Sequence, residues 1–152
     1  DVCSSDLYIA GKGPMRYALA QQIRELDLTN HVELLGFVPD EDLPLAYRAA
    51  NVSVVPTVAH EGFGLIVVES LAAGTPVLVT PVGGLPEIVT PLAEPLVLPD
   101  SAPATIADRL NRILAGTLPI PSSDACQHYA KTHYDWPVIA RKVRTVYEGV
   151  LA

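Results

Sequence analysis

Val52-Ser53-Val54-Val55, a glycine-bearing loop ending in Glu61-Gly62-Phe63-Gly64, the run Leu65-Ile66-Val67-Val68-Glu69-Ser70-Leu71-Ala72-Ala73-Gly74, and then Val77-Leu78-Val79-Thr80: this stretch decides the fold. Its two outer runs are nearly all apolar, as strands buried on both faces are. Between them the pattern predicts a helix from Gly64 to Ala73, with Gly74 placed to end it in the left-handed region that glycine tolerates. Strand, helix, strand is the unit of a parallel sheet.

The same rhythm extends outward in both directions. Leu7 to Ala10 reads as a strand, Gly11-Lys12-Gly13-Pro14 as a turn, and Met15 to Leu26 as a helix. Val32 to Leu35 is a second strand ended by Gly36, and Pro44 opens a helix through Ala50 with Asp42 or Leu43 near its cap. Leu96 to Leu98 is the last candidate strand. Ala102 to Leu114 carries Ile106, Leu110, Ile113 and Leu114 at helical spacing, and two more helices are expected beyond it. Gly116 to Asp124, rich in Pro and Ser, reads as a surface connection, and no internal repeat is present. The fold class expected is α/β, a Rossmann-like parallel sheet with helices on both faces. Such sheets bind ligands beyond the carboxyl ends of their strands, so the loops Gly36 to Pro39, Thr57 to Gly64 and Pro81 to Pro86 should line one crevice.

Glu61 and Glu69 stand on either side of a helix start. At about 1.5 Å rise per residue, Glu69 lies roughly 7 to 8 Å along the axis from an N-terminus near Gly64, while Glu61 stays on the loop. The N–H groups of that N-terminus, unobstructed at Gly62 and Gly64, suit an anionic diphosphate. A carboxylate accepts two hydrogen bonds from a vicinal diol, so one Glu could hold a ribose and the other a hexose. The bland alternative is a Glu61 that merely complements the helix dipole and a solvated Glu69.

At these residues the chain resembles the retaining glycosyltransferases of family 4, whose donor half carries Glu-x7-Glu followed by Ala/Ser-x-Ala-x-Gly-x-Pro-Val. Here the continuation is Ser70-Leu71-Ala72-Ala73-Gly74-Thr75-Pro76-Val77. The resemblance runs from about Leu7 to the C-terminus, through Leu35-Gly36-Phe37-Val38-Pro39, Leu43-Pro44-Leu45-Ala46-Tyr47, Gly83-Gly84-Leu85-Pro86-Glu87 and Tyr134-Asp135-Trp136. It implies the C-terminal, donor-binding half of a GT-B fold, truncated at its N-terminus, with residues 1–6 an atypical start and 7–152 the nucleotide-sugar domain. It assigns Glu61 to the transferred sugar and Glu69 to the ribose, with Gly62, Phe63 (through its N–H), Gly64 and Leu65 around the donor. Phe37 and Val38 would hold the base through backbone atoms, and Gly11 and Gly13 would face the nucleotide. Gly11-Lys12-Gly13 is neither a dinucleotide fingerprint, since Arg16 takes the third glycine position, nor a P-loop.

The activity implied is transfer of a hexose from a UDP-, GDP- or ADP-sugar to a hydroxyl on a glycan, lipid or small molecule, with retention and without a metal. The resemblance puts the acceptor site and a basic Arg and Lys before Leu7, so the chain is expected to turn over poorly alone. The competing readings are a non-catalytic nucleotide-sugar-binding module and a nucleotide-sugar epimerase.

Composition removes other classes. With 152 residues, 49% hydrophobic and 18% charged, the chain is expected to fold as one globular domain. A net charge of −7 with no basic stripe argues against nucleic acid, and no apolar run approaches the ~20 residues that span a bilayer. No secretory signal is present, which leads to a cytoplasmic expectation, with peripheral docking on the inner membrane through the rest of the protein. Cys3 and Cys126 are far apart, and His31, His60, His128 and His133 are scattered, so no metal site is read.

Overall fold

A computed structural model of the chain describes residues 5–151. Most of the atypical start, residues 1–4 with Cys3, lies outside the described residues. The chain forms two compact units, one ending at Leu43 and the other beginning at Pro44.

In the first unit β1 (Leu7–Ala10) pairs in parallel with β2 (Val32–Gly36), Leu7 opposite Val32 and Ile9 opposite Leu34. The register slips after Ile9, so that Ala10 faces Gly36. The crossover is α1 (Arg16–Glu25), one residue shorter at each end than the sequence pattern suggests. Gly36, at φ +70°, lets β2 run one residue further than expected. Of the described residues in this unit, Gly36 alone is buried.

The unit boundary falls at the start of α2 (Leu43–Ala49). In the second unit β3 (Ser53–Val55) and β4 (Val77–Val79) pair in parallel, Ser53 opposite Val77 and Val55 opposite Val79. The crossover between them is α3 (Leu65–Ala73), beginning one residue after the expected Gly64. Every ladder among the described residues is parallel, and the α/β class stands.

Two expectations change. Leu96 to Leu98 is not a strand: a 3-10 turn occupies Glu94–Leu96, and only Val97 bridges to Val79, with the Leu98 N–H donating to the Val79 carbonyl at 2.8 Å. Between Gly84 and this turn lies a helix that the sequence pattern concealed, α4 (Leu85–Ala93). Pro86 sits in its first turn, where no N–H partner is needed, but Pro91 lies inside it. Then follow α5 (Pro103–Leu114), α6 (Ser123–Tyr134), capped by the Ser122 hydroxyl accepting from the Ala125 N–H at 3.2 Å, and α7 (Trp136–Leu151).

The core lies in the second unit. All three residues of β4 are buried, as are Val67 and Leu71 of α3, Leu85, Ile88 and Val89 of α4, and Cys126, Tyr129 and Ala130 of α6. The helical spacings of three and four put each set on one face, and each large aliphatic side chain so buried contributes about 1.5–3 kcal/mol before entropy is charged against it. Helix α6 packs along α3. The join is tight at Gly74, whose φ is +94°: the Gln127 Nε2 donates to the Ala73 carbonyl at 3.3 Å, and a Cβ on Gly74 would meet the Ser123 hydroxyl. Past Ile139, α7 is exposed as far as residue 150.

Candidate functional site

The loop from Thr57 to Gly64 is fixed from beneath. Buried Thr80, just after β4, donates its hydroxyl to the Thr57 carbonyl at 2.5 Å and approaches the Val55 carbonyl at 3.4 Å. The loop after β4 then closes on it glycine to backbone. A Cβ on Gly83 would run into the Glu61 carbonyl, and one on Gly84 would lie 2.8 Å from the Gly62 carbonyl oxygen. The pair Gly83-Gly84 thus serves close approach and not merely a turn. Gly64, buried at φ +92°, has Leu85 Cδ2 at 2.6 Å from where a Cβ would stand. Gly62 has open space there.

This packing leaves the N-terminus of α3 open. Its cap is Gly64, no side chain caps it, and its first turn holds no acidic residue. The leading N–H groups of a helix have no partner within it and carry the positive end of its dipole. Glu61, half-buried, stands just before this end, and Glu69, exposed, one turn and more beyond it. Phe63 and Leu65 flank it, 48% and 65% exposed, so Phe63 is not a core anchor.

Beside the loop a cleft of about 440 Å³ is lined by Gly62, Phe63, Gly83, Gly84, Glu87, Ile88 and Tyr134. Tyr134 meets Phe63 edge to face, centroids 6.0 Å apart at 64°. Burial, then a hydrogen bond and charge from Tyr129, then the Glu87 charge, push the Tyr134 phenol well above its usual range and hold it protonated. The cleft therefore offers a carboxylate and a neutral hydroxyl beside exposed backbone. Glu87 and Tyr134 are not among the site residues read from sequence, although both fall in blocks that carry the family resemblance.

Glu69 has a partner that spacing did not reveal. The Tyr47 hydroxyl, on α2, donates to Glu69 Oε2 at 3.3 Å. Burial first, and the charge and hydrogen bond of Glu69 after it, push the Tyr47 phenol up to about 12. Behind the pair runs a set of hydroxyls, buried at Ser70 and Thr75 and half-buried at Ser53. Thr75 Oγ1 donates to the Tyr47 carbonyl at 2.6 Å, Ser70 Oγ donates to the Thr75 carbonyl at 3.1 Å, and Ser53 and Ser70 share a hydrogen bond of 2.8 Å.

The remaining candidates, Gly11, Gly13, Phe37 and Val38, belong to the first unit. There the Gly11 N–H donates to the Gly36 carbonyl at 2.6 Å, which joins the two loops, and Lys12 Nζ lies 4.7 Å from the centre of the Phe37 ring. Phe37 is 62% exposed and Val38 half-buried. Gly11 (φ +123°) and Gly13 both face open space. His60 is exposed at φ +62°. Cys126 is buried, and burial raises its thiol to about 11, as suits a packing residue. Among the described residues no cluster of three or more His, Cys, Asp or Glu side chains is placed to hold a metal ion, and no helix is long and apolar enough to cross a membrane.

Comparison with known proteins gives a consistent result. The family model described as glycosyl transferases group 1 matches residues 5–133. An uncharacterized glycosyltransferase of Methanocaldococcus jannaschii is 36% identical over 148 residues, covering 95% of this chain and 37% of that protein. A phosphatidyl-myo-inositol mannosyltransferase of Mycobacterium leprae is 31% identical over 146 residues, with 95% and 38% covered. Among solved structures, sucrose-phosphate synthase from Thermosynechococcus elongatus superposes with a TM-score of 0.79 at 29% identity, over 96% of this chain and 38% of that one. Anabaena HepE in complex with UDP-glucose does so with 0.78 at 25% identity, over 95% and 41%. The chain thus spans about two fifths of the length of the proteins it matches.

Proposed function

This chain belongs to the glycosyl transferases group 1 family, and on that premise we propose that it is the donor-binding part of an enzyme that transfers a hexose from a nucleoside diphosphate sugar to an acceptor hydroxyl with retention. The observation that carries this reading is the uncapped, glycine-opened N-terminus of α3 with Glu61 before it and Glu69 beyond it. The diphosphate lies against the leading N–H groups, where fixed dipoles stabilise the charge that grows on it as the glycosidic bond breaks. Glu69 takes the ribose diol and Glu61 hydroxyls of the sugar. Likeness to a protein bound to UDP-glucose supports this donor class. Metal-independent transfer and a cytoplasmic location, where nucleotide sugars are made, belong to the same proposal.

Calorimetric titration with UDP, GDP and ADP, then with the matching sugar nucleotides, tests it. Glu69→Ala should weaken the diphosphate that binds best by about tenfold. Glu61→Ala should instead abolish the extra affinity of the sugar nucleotide over the bare diphosphate. Unchanged affinities in both variants, with their folds intact by circular dichroism, would sink the assignment.

A further inference from the structure

The Glu69 carboxylate is exposed, on a side chain with three rotatable bonds, and such a group loses orientation entropy when it binds a ligand. A diol needs one carboxylate in one orientation. Tyr47 restricts that freedom, because its own ring is half-buried and turns about only two bonds. Its hydroxyl engages Oε2 at 3.3 Å, leaving Oε1 and the second lone pair of Oε2 to accept from a diol. Both residues also hang from one buried anchor. Thr75, 2% exposed in the turn after α3, holds the Tyr47 carbonyl by its hydroxyl, and its own carbonyl is held by Ser70, the residue next to Glu69. The contact thus joins two side chains whose backbones are already in register.

We propose that Tyr47 is a positioning residue, whose hydroxyl sets the Glu69 carboxylate in the orientation that accepts the 2′- and 3′-hydroxyls of the donor ribose. This rests on the ribose assignment of Glu69. Tyr47 does not touch the ligand. Because the phenol stays protonated far above neutral pH, it remains a donor to Glu69 under all working conditions.

The test is a cycle of four proteins, the natural chain, Tyr47→Phe, Glu69→Ala and the double variant. Each is titrated with UDP, GDP and ADP and with the 2′,3′-dideoxy form of whichever binds best. The readout is the ratio of dideoxy to ribo dissociation constants. Tyr47→Phe should lower that ratio about two- to tenfold, as expected for losing one hydrogen bond to a charged group, and leave dideoxy affinity unchanged. In the Glu69→Ala background it should change nothing further. Equal weakening of both ligand forms would mean a merely structural tyrosine, and an effect that persists without Glu69 would mean it acts by another route; either overturns the proposal. If the natural chain prefers the ribo form and Tyr47→Phe keeps that preference, the positioning role alone fails. If the natural chain shows no preference, or binds none of the three diphosphates, the donor reading fails and takes the Tyr47 proposal with it.

Discussion

Gly62, Gly64 and Gly83 are alike as letters and unlike in their surroundings. Gly64 and Gly83 have positive φ and protein atoms where a Cβ would stand, so the fold itself demands them. Gly62 has open space, so the fold makes no such demand there, and only the proposed donor site asks for glycine. Gly83→Ala should therefore lower stability by about 1–3 kcal/mol in urea unfolding, through strain and collision with the Glu61 carbonyl. Gly62→Ala should unfold within about 0.5 kcal/mol of the natural chain yet bind nucleoside diphosphate more weakly. An equal loss of stability in the two variants would contradict this division. The carboxylate pair was legible in the sequence because its geometry is local, two residues bracketing one helix start. Tyr47, Glu87 and Tyr134 were not, because their places at the site are set by tertiary packing; Tyr47 stands 22 residues from the carboxylate it bonds.

At the scale of elements, α3 orients the site, and Gly74 fixes where it ends and how α6 lies on it. Gly74→Ala adds a side chain at φ +94° against the Ser123 hydroxyl and 3.0 Å from Gln127 Nε2. It should cost about 1–3 kcal/mol, and adding Ser123→Ala should recover part of this by removing the collision while leaving the backbone strain. No recovery would place the whole cost in the backbone. Strand and helix order was readable wherever apolar runs alternate with glycine stops, as from β3 to β4. Helix α4 was not, because two prolines in nine residues mask the helical spacing of its apolar side chains. In the helix Pro86 needs no partner, and the burial of Leu85, Ile88 and Val89 outweighs the cost of Pro91. Leu96 to Leu98 misled for the opposite reason. Its apolar letters mark a buried 3-10 turn and one bridge, a pattern that a short strand shares.

At the scale of the whole molecule, stability is unevenly spread. The second unit holds the apolar core, whereas Leu7, Tyr8, Met15, Tyr17, Leu26, Leu35 and Phe37 of the first are exposed. Local opening needs least free energy where few apolar groups are buried. Amides of β1 and β2 should therefore exchange with deuterium by a low-energy opening, and those of β3 and β4 only near global unfolding. Equal protection of the two pairs would refute this. The helix α6, finally, covers α3 and supplies Tyr134 to the wall of the cleft. During synthesis the ribosome delivers the chain from its N-terminal end, so Phe63 and its glycines emerge long before that helix. The residues of both carboxylates and of the helix start leave the ribosome early, but the cleft has no Tyr134 wall until α6 arrives, and the face of α3 that α6 covers waits uncovered through that interval.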